Sequence, residues 1–422
     1  MNTNYLSRFL RPVICFDVLA ICLSTAAFSQ ELSPTFANLP YALVENDDGS
    51  PATLHMNLWL PQSNAFRAPV VVWIHGGGWY AGSYEDSPLG LESLLEAGFA
   101  VASVEYRLSG AAIFPAQILD VKGAVRYLRA NAHMYRLDAS RFAAWGDSAG
   151  GHLSALLATS GDVAELEGAV GGNLEFSSRI QAAVDYFGPT DILNLNPDVM
   201  TPPGSLIDHD DPLSPGSMLI GFSGMDEGIG LLRLNLDNPT APFPDTAALA
   251  ISANPITHLS PDDPPIHIAH GDLDQVVSLK QSLRLANAME ESELEYSIRV
   301  VAGEGHGFAQ QAEIENAETI AFLLSHLDWE AGDFNRDAEI DEADYLVWKR
   351  DLGSDTSAAD ANGNGIVDAA DYTIWRDTAI IDPSSAAFGI PEPHCGLLGS
   401  AAIVILTGLR NLNRRSSPID MT

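Results

Sequence analysis

The pentapeptide GDSAG at residues 146–150 is the feature that most constrains what this chain can fold into. The apolar run at residues 141–145 predicts a buried strand before it, and residues 152–158 predict the start of an amphipathic helix after it. A serine on such a strand-to-helix turn has its hydroxyl pushed out of the sheet, and the flanking small residues permit the tight backbone. Ser148 is therefore a candidate nucleophile, which needs an oxyanion hole, a base and an acid.

Three consecutive glycines, at residues 76–78, follow another predicted strand at residues 70–74. Consecutive glycines let backbone N–H groups converge on one point, as an oxyanion hole requires, together with the N–H of Ala149 just after the nucleophile. A flexible glycine turn is the alternative interpretation. The position after a strand and upstream of the serine favours the oxyanion hole.

Two further predicted strands, at residues 265–271 and 296–301, lead into the candidate acid and base. Asp272 and Asp274 follow the first strand, and either could be the acid. His306 follows the second and lies among glycines, where a role in core packing is not expected, so we interpret it as the base. The order Ser, Asp, His along the chain is that of the α/β-hydrolase architecture.

Residues 41–329 resemble an α/β-hydrolase esterase of the hormone-sensitive-lipase-like group, closest to acetyl- and feruloyl-esterase-like enzymes. The motifs that carry the resemblance are HGGGW at 75–79, VEYRLS at 104–109, FPAQILDVKGAVRYLR at 114–129, GDSAGG at 146–151, HGDLDQVV at 270–277 and GHGF at 305–308. The resemblance implies that Asp274 is the acid and Asp272 a turn residue. It also implies that Gly77, Gly78 and Ala149 supply the oxyanion donors of a serine carboxylesterase, whose chemistry needs no metal or organic cofactor.

Strand and helix patterns alternate as far as about residue 326, which predicts an α/β fold with a mostly parallel sheet covered on both faces. The alternation at residues 54–61 predicts an edge strand, and residues 121–132 predict a helix. Residues 192–254 are rich in Pro, Gly and Asp with little periodicity. We expect this insertion to cap the active site as a lid or pocket wall; a solvated loop without substrate contact is the alternative.

Two acidic segments near the C-terminus each place oxygen-bearing side chains at positions one, three, five, nine and twelve of an EF-hand-like calcium loop. Residues 332–378, with a helix pattern after each loop and repeated Tyr and Trp residues, resemble a small helical dockerin type I module. The resemblance implies Ca²⁺ binding, a cohesin-like partner and a link to polysaccharide degradation. The candidate ligands are Asp333, Asn335, Asp337, Asp341 and Asp344 in the first loop and Asp360, Asn362, Asn364, Asp368 and Asp371 in the second.

Both termini carry apparent targeting segments. Residues 1–29 combine arginines, an apolar run and a small polar end, which predicts a secretory signal peptide, although Asp17 interrupts the run; an anchoring helix is the alternative. Residues 391–415 resemble a PEP-type C-terminal sorting signal. Its apolar run is shorter than the about 20 residues of a stable span, so we expect a processed tail with transient membrane contact rather than a single-pass anchor.

The formal net charge of −35 over 422 residues argues against nucleic acid or anionic membrane surfaces as partners. The three cysteines, Cys15, Cys22 and Cys395, lie outside the predicted catalytic region, so no disulfide framework is expected there.

Together these features predict an exported carboxylic-ester hydrolase, either secreted or associated with the cell surface or extracellular matrix. Acetyl or feruloyl esters of polysaccharides are the first candidate substrates, followed by short-chain esters. An arylformamidase-like amide hydrolase is the alternative enzyme, because HGGGW also resembles that group. A non-catalytic surface binding protein is the alternative of a different class, and the intact set of Ser148, Asp274 and His306 argues against it.

Overall fold

The computed structural model describes residues 32–62, 67–161, 163–199, 206–224, 227–240, 242–327, 332–335, 340–354, 359–362 and 366–378. These residues fall into two compact units, one up to residue 327 and one from residue 332. The predicted signal peptide at 1–29 and the predicted sorting tail at 391–415 lie outside the described residues. None of the helices in the described ranges combines the length and apolar character needed to cross a membrane.

Eight strands within the described part of the first unit form one sheet, in the order β1-β2-β4-β3-β5-β6-β7-β8. The pairs β1–β2 and β2–β4 are antiparallel, and every pair from β4–β3 to β7–β8 is parallel. The predicted α/β architecture with a mostly parallel sheet is confirmed. The strands are β1 (Phe36–Glu45), β2 (Pro51–Trp59), β3 (Ala68–Ile74), β4 (Ala100–Val104), β5 (Leu137–Asp147), β6 (Ala182–Tyr186), β7 (Ile266–Gly271) and β8 (Tyr296–Val301).

The prediction of an edge strand at residues 54–61 is wrong. This segment is β2, which lies between β1 and β4, and β1 forms the edge of the sheet. Leu54, Met56 and Leu58 do alternate into the core, as the sequence pattern indicates. Alternation reports which face of a strand is covered and carries no information about its neighbours, so it could not place β2 second in the sheet.

Helices cover both faces of the sheet. On one face α2, α4 and α9 pack against the strands, and on the other α1 and α10 pack around Trp73 and Trp145. The predicted helix at 121–132 is the later part of α2. The helices of the first unit are α1 (Leu91–Glu96), α2 (Ala116–Ala130), α3 (Ala132–Tyr135), α4 (Ala149–Thr159), α5 (Leu195–Val199), α6 (Pro215–Leu219), α7 (Ile229–Leu234), α8 (Phe243–Ser252), α9 (Leu279–Glu291) and α10 (Ala312–His326), with short 3₁₀ turns at Ala164–Leu166, Ile192–Asn194 and Pro255–Thr257.

The insertion at residues 192–254 leaves the sheet after β6 and returns to it before β7. Its described part contains the short helices α5 to α8, which at five to ten residues are too brief to give a clear period in the sequence. The two ends of the insertion lie side by side, because the backbone N–H of Ile192 donates to Asn254 Oδ1 at 2.8 Å. The segment is thus an insertion between two strands whose ends are held together by a hydrogen bond.

The second unit contains two helices, α11 (Glu342–Asp351) and α12 (Ala369–Thr378), among its described residues. The repeat predicted from the sequence is visible in a reciprocal pair of hydrogen bonds. Trp348 Nε1 donates to the Asp368 carbonyl at 2.8 Å, and Trp375 Nε1 donates to the Asp341 carbonyl at 2.9 Å. Each helix therefore holds the residue that precedes the other. The buried core consists of Phe334, Tyr345, Trp348, Ala359, Val367, Tyr372 and Trp375.

Candidate active site

Ser148 lies on the sharp turn between β5 and α4, with φ 53° and ψ −117°. A positive φ is uncommon for a residue other than glycine and stores backbone strain. The turn can form because Gly146 and Gly150 lack side chains. A Cβ on Gly146 would overlap the Gly150 backbone, and a Cβ on Gly150 would overlap the Ile74 carbonyl oxygen.

The structure brings Ser148, His306 and Asp274 into one hydrogen-bonded chain. His306 Nε2 lies 2.9 Å from Ser148 Oγ, and His306 Nδ1 lies 2.7 Å from Asp274 Oδ2. The three residues follow β5, β8 and β7 respectively, so they meet at the carboxyl end of the parallel strands. An imidazole that donates from Nδ1 to a carboxylate presents its Nε2 lone pair to the serine hydroxyl, which is the arrangement that activates a nucleophile.

Asp272 and Asp274 occupy different surroundings. Asp272 Oδ1 accepts from the backbone N–H of Gly303 at 2.7 Å, and the residue is exposed. The side chain of Asp274 is fully buried, and its Oδ1 accepts from the backbone N–H groups of Val276 at 2.7 Å and Val277 at 2.9 Å. The structure therefore places Asp274, and not Asp272, against His306.

Asp274 is ionised at neutral pH. Burial by itself raises the pKa of its carboxyl group, but hydrogen bonds from His270 and His306 and the charges of both imidazoles lower it further than burial raises it. The pKa of Asp274 is therefore well below its usual range. An ionised acid at this position accepts from His306 Nδ1–H and stabilises an imidazolium.

The glycine loop after β3 reaches the same place. Gly77 and Gly78 have φ values of 104° and 59°, which favour glycine. The backbone N–H groups of Tyr80 and Ala81 both donate to the Gly77 carbonyl, at 3.2 and 3.0 Å, and this turns that carbonyl into the loop. Gly77, Gly78 and Ala149, the predicted oxyanion donors, all line the cavity that contains Ser148 and His306.

This cavity has a volume of about 280 Å³ and a mostly apolar wall. Four of its lining residues, Leu195, Ile207, His209 and Pro215, belong to the insertion between β6 and β7. No lysine or arginine lines it within the part of the chain that the structure describes. A more open depression of about 510 Å³, bounded by residues 161–179, contains none of the predicted site residues, so volume alone does not locate the site.

The sequence analysis missed a buried pair beside the site. Trp79 Nε1 donates to His152 Nδ1 at 3.1 Å, and because an indole can only donate, His152 carries its hydrogen on Nε2, which donates to the Ala253 carbonyl at 2.7 Å. Burial lowers the pKa of His152 to about 4, so the ring is neutral at pH 7. Trp79 is the last residue of HGGGW and His152 directly follows GDSAGG, but only the tertiary structure pairs them.

Two more residues of the cavity wall, Asp147 and His209, were also not identified from the sequence. Burial raises the pKa of Asp147, although the charge of His306 and the backbone N–H of Gly76 oppose that shift. His209 Nε2 donates to the Val276 carbonyl at 2.8 Å, and burial lowers the pKa of its ring. The position of Asp147 inside GDSAG could have flagged it, whereas His209 lies in a segment without periodicity.

Comparisons with known proteins point to the same fold. "Probable carboxylic ester hydrolase LipM" of Mycobacterium tuberculosis is 31% identical over 233 residues, which are 54% of this chain and 47% of LipM. The chain spans about half the length of the first curated relatives it matches. A solved "truncated form of carbohydrate esterase from gut microbiota" is 29% identical with a TM-score of 0.55, over 69% of this chain and 96% of that one. A "bifunctional GH43-CE" from Bacteroides eggerthii is 33% identical with a TM-score of 0.54, over 65% of this chain and 33% of that one.

Two family matches fall one in each of the two units. Residues 331–376 match the dockerin type I domain. Residues 56–289, more than half of the chain, match the BD-FAE family and include Ser148 and Asp274. The chain therefore belongs to the BD-FAE family, with an α/β-hydrolase fold, and carries a dockerin type I domain after it.

Proposed function

We propose that this protein is a serine carboxylesterase. The observation that carries the proposal is the pair of contacts made by His306, at 2.9 Å to Ser148 Oγ and 2.7 Å to Asp274 Oδ2. Ser148 attacks the ester carbonyl while His306 takes its proton, and Asp274 stabilises the resulting imidazolium. The N–H groups of Gly77, Gly78 and Ala149 stabilise the tetrahedral oxyanion, each contributing about 3 kcal/mol. His306 then protonates the leaving alcohol, and water releases the acyl group.

The cavity supports a short, uncharged acyl group. Its volume of about 280 Å³ is at the small end of ligand pockets. Among the described residues, no lysine or arginine lines the wall to bind an acidic acyl group. We therefore place acetyl esters of polysaccharides first and feruloyl esters second, with simple short-chain esters also hydrolysed. The likeness to a solved carbohydrate esterase from gut microbiota supports a carbohydrate as the alcohol.

The test uses the purified protein and a panel of p-nitrophenyl acetate, acetylated and feruloylated xylo-oligosaccharides and an aryl formamide. Ester hydrolysis that disappears in Ser148→Ala, with an unchanged circular dichroism spectrum, is the expected result. Faster turnover of the formamide than of any ester would favour the arylformamidase-like alternative. A folded wild-type protein that hydrolyses none of them would support the binding-protein alternative.

We further propose that the dockerin domain binds Ca²⁺ through its two acidic loops. Carboxylate and amide oxygens are the donors that Ca²⁺ prefers, and Asp333, Asp344 and Asp371 are buried, at 3%, 0% and 0% exposure. Buried carboxylates need charge compensation, which a bound cation supplies. No group of three or more His, Cys, Asp or Glu side chains is arranged as a metal site among the described residues. The predicted ligands Asp337 and Asn364 lie outside them.

The two loops are organised alike by their position-twelve carboxylates. Asp344 accepts from the backbone N–H groups of Asn335 at 2.9 Å and Asp341 at 2.8 Å. Asp371 accepts in the same way from Asn362 at 3.1 Å and Asp368 at 2.8 Å. We also propose that the dockerin domain binds a cohesin-like partner outside the cell. In this proposal the esterase is exported and acts within a polysaccharide-degrading assembly. Binding of a cohesin panel to the calcium-loaded full chain, with and without EDTA, tests this.

A further inference from the structure

We infer that His270 is a positioning residue for the proposed ester hydrolysis, acting through Asp274. The inference rests on the proposed function, because it assigns Asp274 the role of orienting His306. His270 lies at the end of β7, four residues before Asp274, and is completely buried. Its Nε2 lies 3.2 Å from Asp274 Oδ2, the same oxygen that lies 2.7 Å from His306 Nδ1.

The hydrogen on His270 Nε2 follows from its surroundings. This nitrogen also lies 2.9 Å from the Val277 carbonyl, so two acceptors face it. The other nitrogen, Nδ1, lies 2.7 Å from the hydroxyl of Ser282 on α9, which can either donate or accept. Nε2 therefore carries a hydrogen whether the ring is neutral or charged, and it donates that hydrogen toward Asp274 and Val277.

Asp274 is consequently held from both sides. Its Oδ1 accepts two backbone N–H groups, those of Val276 and Val277. Its Oδ2 accepts from the two imidazoles, His270 and His306. With both oxygens engaged, the carboxylate cannot rotate about its own axis without breaking hydrogen bonds. Oδ2 is thereby fixed where it accepts from His306 Nδ1.

Burial makes the His270 contact difficult to replace. The side chains of His270 and Asp274 are both fully buried, so water cannot simply take over the vacated donor position. Without the donor, Oδ2 keeps only one partner and His306 loses a fixed acceptor. For comparison, removal of the outer-shell groups that orient metal-ligating side chains typically changes activity or metal affinity about tenfold to a hundredfold.

Two substitutions separate the donor from the remainder of the ring. In His270→Gln the amide nitrogen occupies roughly the place of Nε2 and can still donate to Asp274. In His270→Asn the shorter amide reaches only the place of Nδ1, so the contact with Ser282 is kept and the donor to Asp274 is lost. With p-nitrophenyl acetate we expect kcat to fall about tenfold to a hundredfold in His270→Asn with KM within about threefold, and to stay within about threefold of wild type in His270→Gln.

A spectroscopic readout accompanies the kinetics. The proton between His306 Nδ1 and Asp274 Oδ2 should give a downfield NMR resonance, and its loss in Asp274→Asn would assign it. This resonance should shift in His270→Asn and stay near its wild-type position in His270→Gln. Ser282→Ala, which alters only the Nδ1 side, is the matched control and should leave both the resonance and kcat near wild type.

Equal losses of kcat in the folded Gln and Asn variants would reduce His270 to a packing residue and overturn the inference, as would full activity in His270→Asn. If the wild-type protein hydrolyses no ester, the proposed function fails on its own. The NMR comparison needs no turnover, so it still decides whether His270 positions Asp274.

Discussion

Trp79 donates its indole N–H to Nδ1 of His152 at 3.1 Å, with both residues buried. Trp79 ends the glycine loop after β3, and His152 lies in the first turn of α4, directly behind Ser148. The rings also meet edge to face, with centroids 5.1 Å apart. One contact thus joins the loop that carries Gly77 and Gly78 to the helix that begins at Ala149.

Trp79→Phe should impair both stability and catalysis. The phenyl ring keeps most of the packing but leaves His152 Nδ1 buried without its donor, which costs about 1–3 kcal/mol of unfolding free energy. The glycine loop loses its attachment to α4, so we also expect a lower kcat for p-nitrophenyl acetate. Trp59→Phe is the matched control, because Trp59 donates its indole N–H to the Leu32 carbonyl at 2.7 Å away from the site. Equal activity losses in the two variants would contradict the proposed role of the contact.

The neutral state of His152 predicts a loss of stability in acid. Its folded pKa of about 4 lies below the ordinary value of 6.5, so the unfolded chain binds more protons between these pH values. Stability from this group is complete above pH 6.5 and falls as the pH drops toward 4, by about 3 kcal/mol. Urea unfolding at pH 7 and pH 4.5 should therefore show a larger loss in wild type than in His152→Gln.

The comparison between the two proteins matters because other buried groups titrate in the same range. Burial raises the pKa values of Asp185 and Asp263 to about 6. The stability that these two carboxyls contribute to the folded protein is therefore lost as the pH rises from about 4 to 6, which is opposite to the effect of His152. Their contributions are common to wild type and His152→Gln and cancel in the difference. If wild type and His152→Gln lose the same unfolding free energy between pH 7 and pH 4.5, His152 does not carry the effect.

Asp274→Asn should lower kcat/KM for p-nitrophenyl acetate by about 10³- to 10⁴-fold, because an amide facing His306 Nδ1 favours the wrong tautomer of the imidazole. Asp272→Asn should change it less than about threefold, since Asp272 contacts the Gly303 backbone rather than His306. Steady-state kinetics of the two variants side by side provide the measurement. The reverse order of effects would mean that Asp272 is the acid.

Gly150→Ala should abolish activity or prevent folding, because its Cβ would overlap the carbonyl oxygen of Ile74 at the end of β3. Gly110→Ala offers the contrast, since a Cβ there meets nothing within 4 Å. We expect the control to stay within about 0.5 kcal/mol of wild type. Thermal unfolding and esterase assays check both, and a fully active Gly150→Ala variant would contradict the close approach.

Removal of Ca²⁺ should unfold the dockerin domain and leave the esterase active. The acidic side chains of each loop repel one another, so metal-binding free energy becomes folding free energy. EDTA titrated into the calcium-loaded protein should change the fluorescence of Trp348 and Trp375, which are buried at 3% and 6% exposure. Comparison with Trp348→Phe identifies the part of the fluorescence change that comes from Trp348. Esterase activity that falls in step with the fluorescence would show that the metal supports the catalytic unit.

The sequence was most informative where chemistry sits in a local motif after an apolar run. Ser148 and His306 were named in this way, whereas Asp274 was chosen over Asp272 only through the family resemblance, and the structure places the three residues in one hydrogen-bonded chain. The dockerin helices were found because two copies repeat at one offset. The signal of each catalytic motif lies within a dozen residues along the chain, whereas the dockerin repeat is visible only at an offset of 27 residues, from Asp344 to Asp371.

Contacts between distant segments could not be read in the same way. Trp79 and His152 are 73 residues apart, and nothing in either motif states that an indole will meet that imidazole. His209 reaches the cavity wall from an insertion of short helices without a clear period. The strand β1 was missed, and β2 was misplaced at the edge, because strand order depends on pairing across the whole sheet.

The hydrogen bond between Ile192 and Asn254 has a consequence for how this insertion can be exchanged by mutagenesis. It closes the insertion at its base, while Ser148, Asp274 and His306 are held by turns at other strand ends. The stretch from 192 to 254 is therefore exchangeable as one segment, provided that the replacement keeps the carbonyl that accepts from His152 and the contact of His209 with Val276. Such an exchange changes four described residues of the cavity wall and leaves the turns that carry the reacting atoms in place. We therefore expect exchange of the insertion to alter substrate preference more than the arrangement of the reacting atoms.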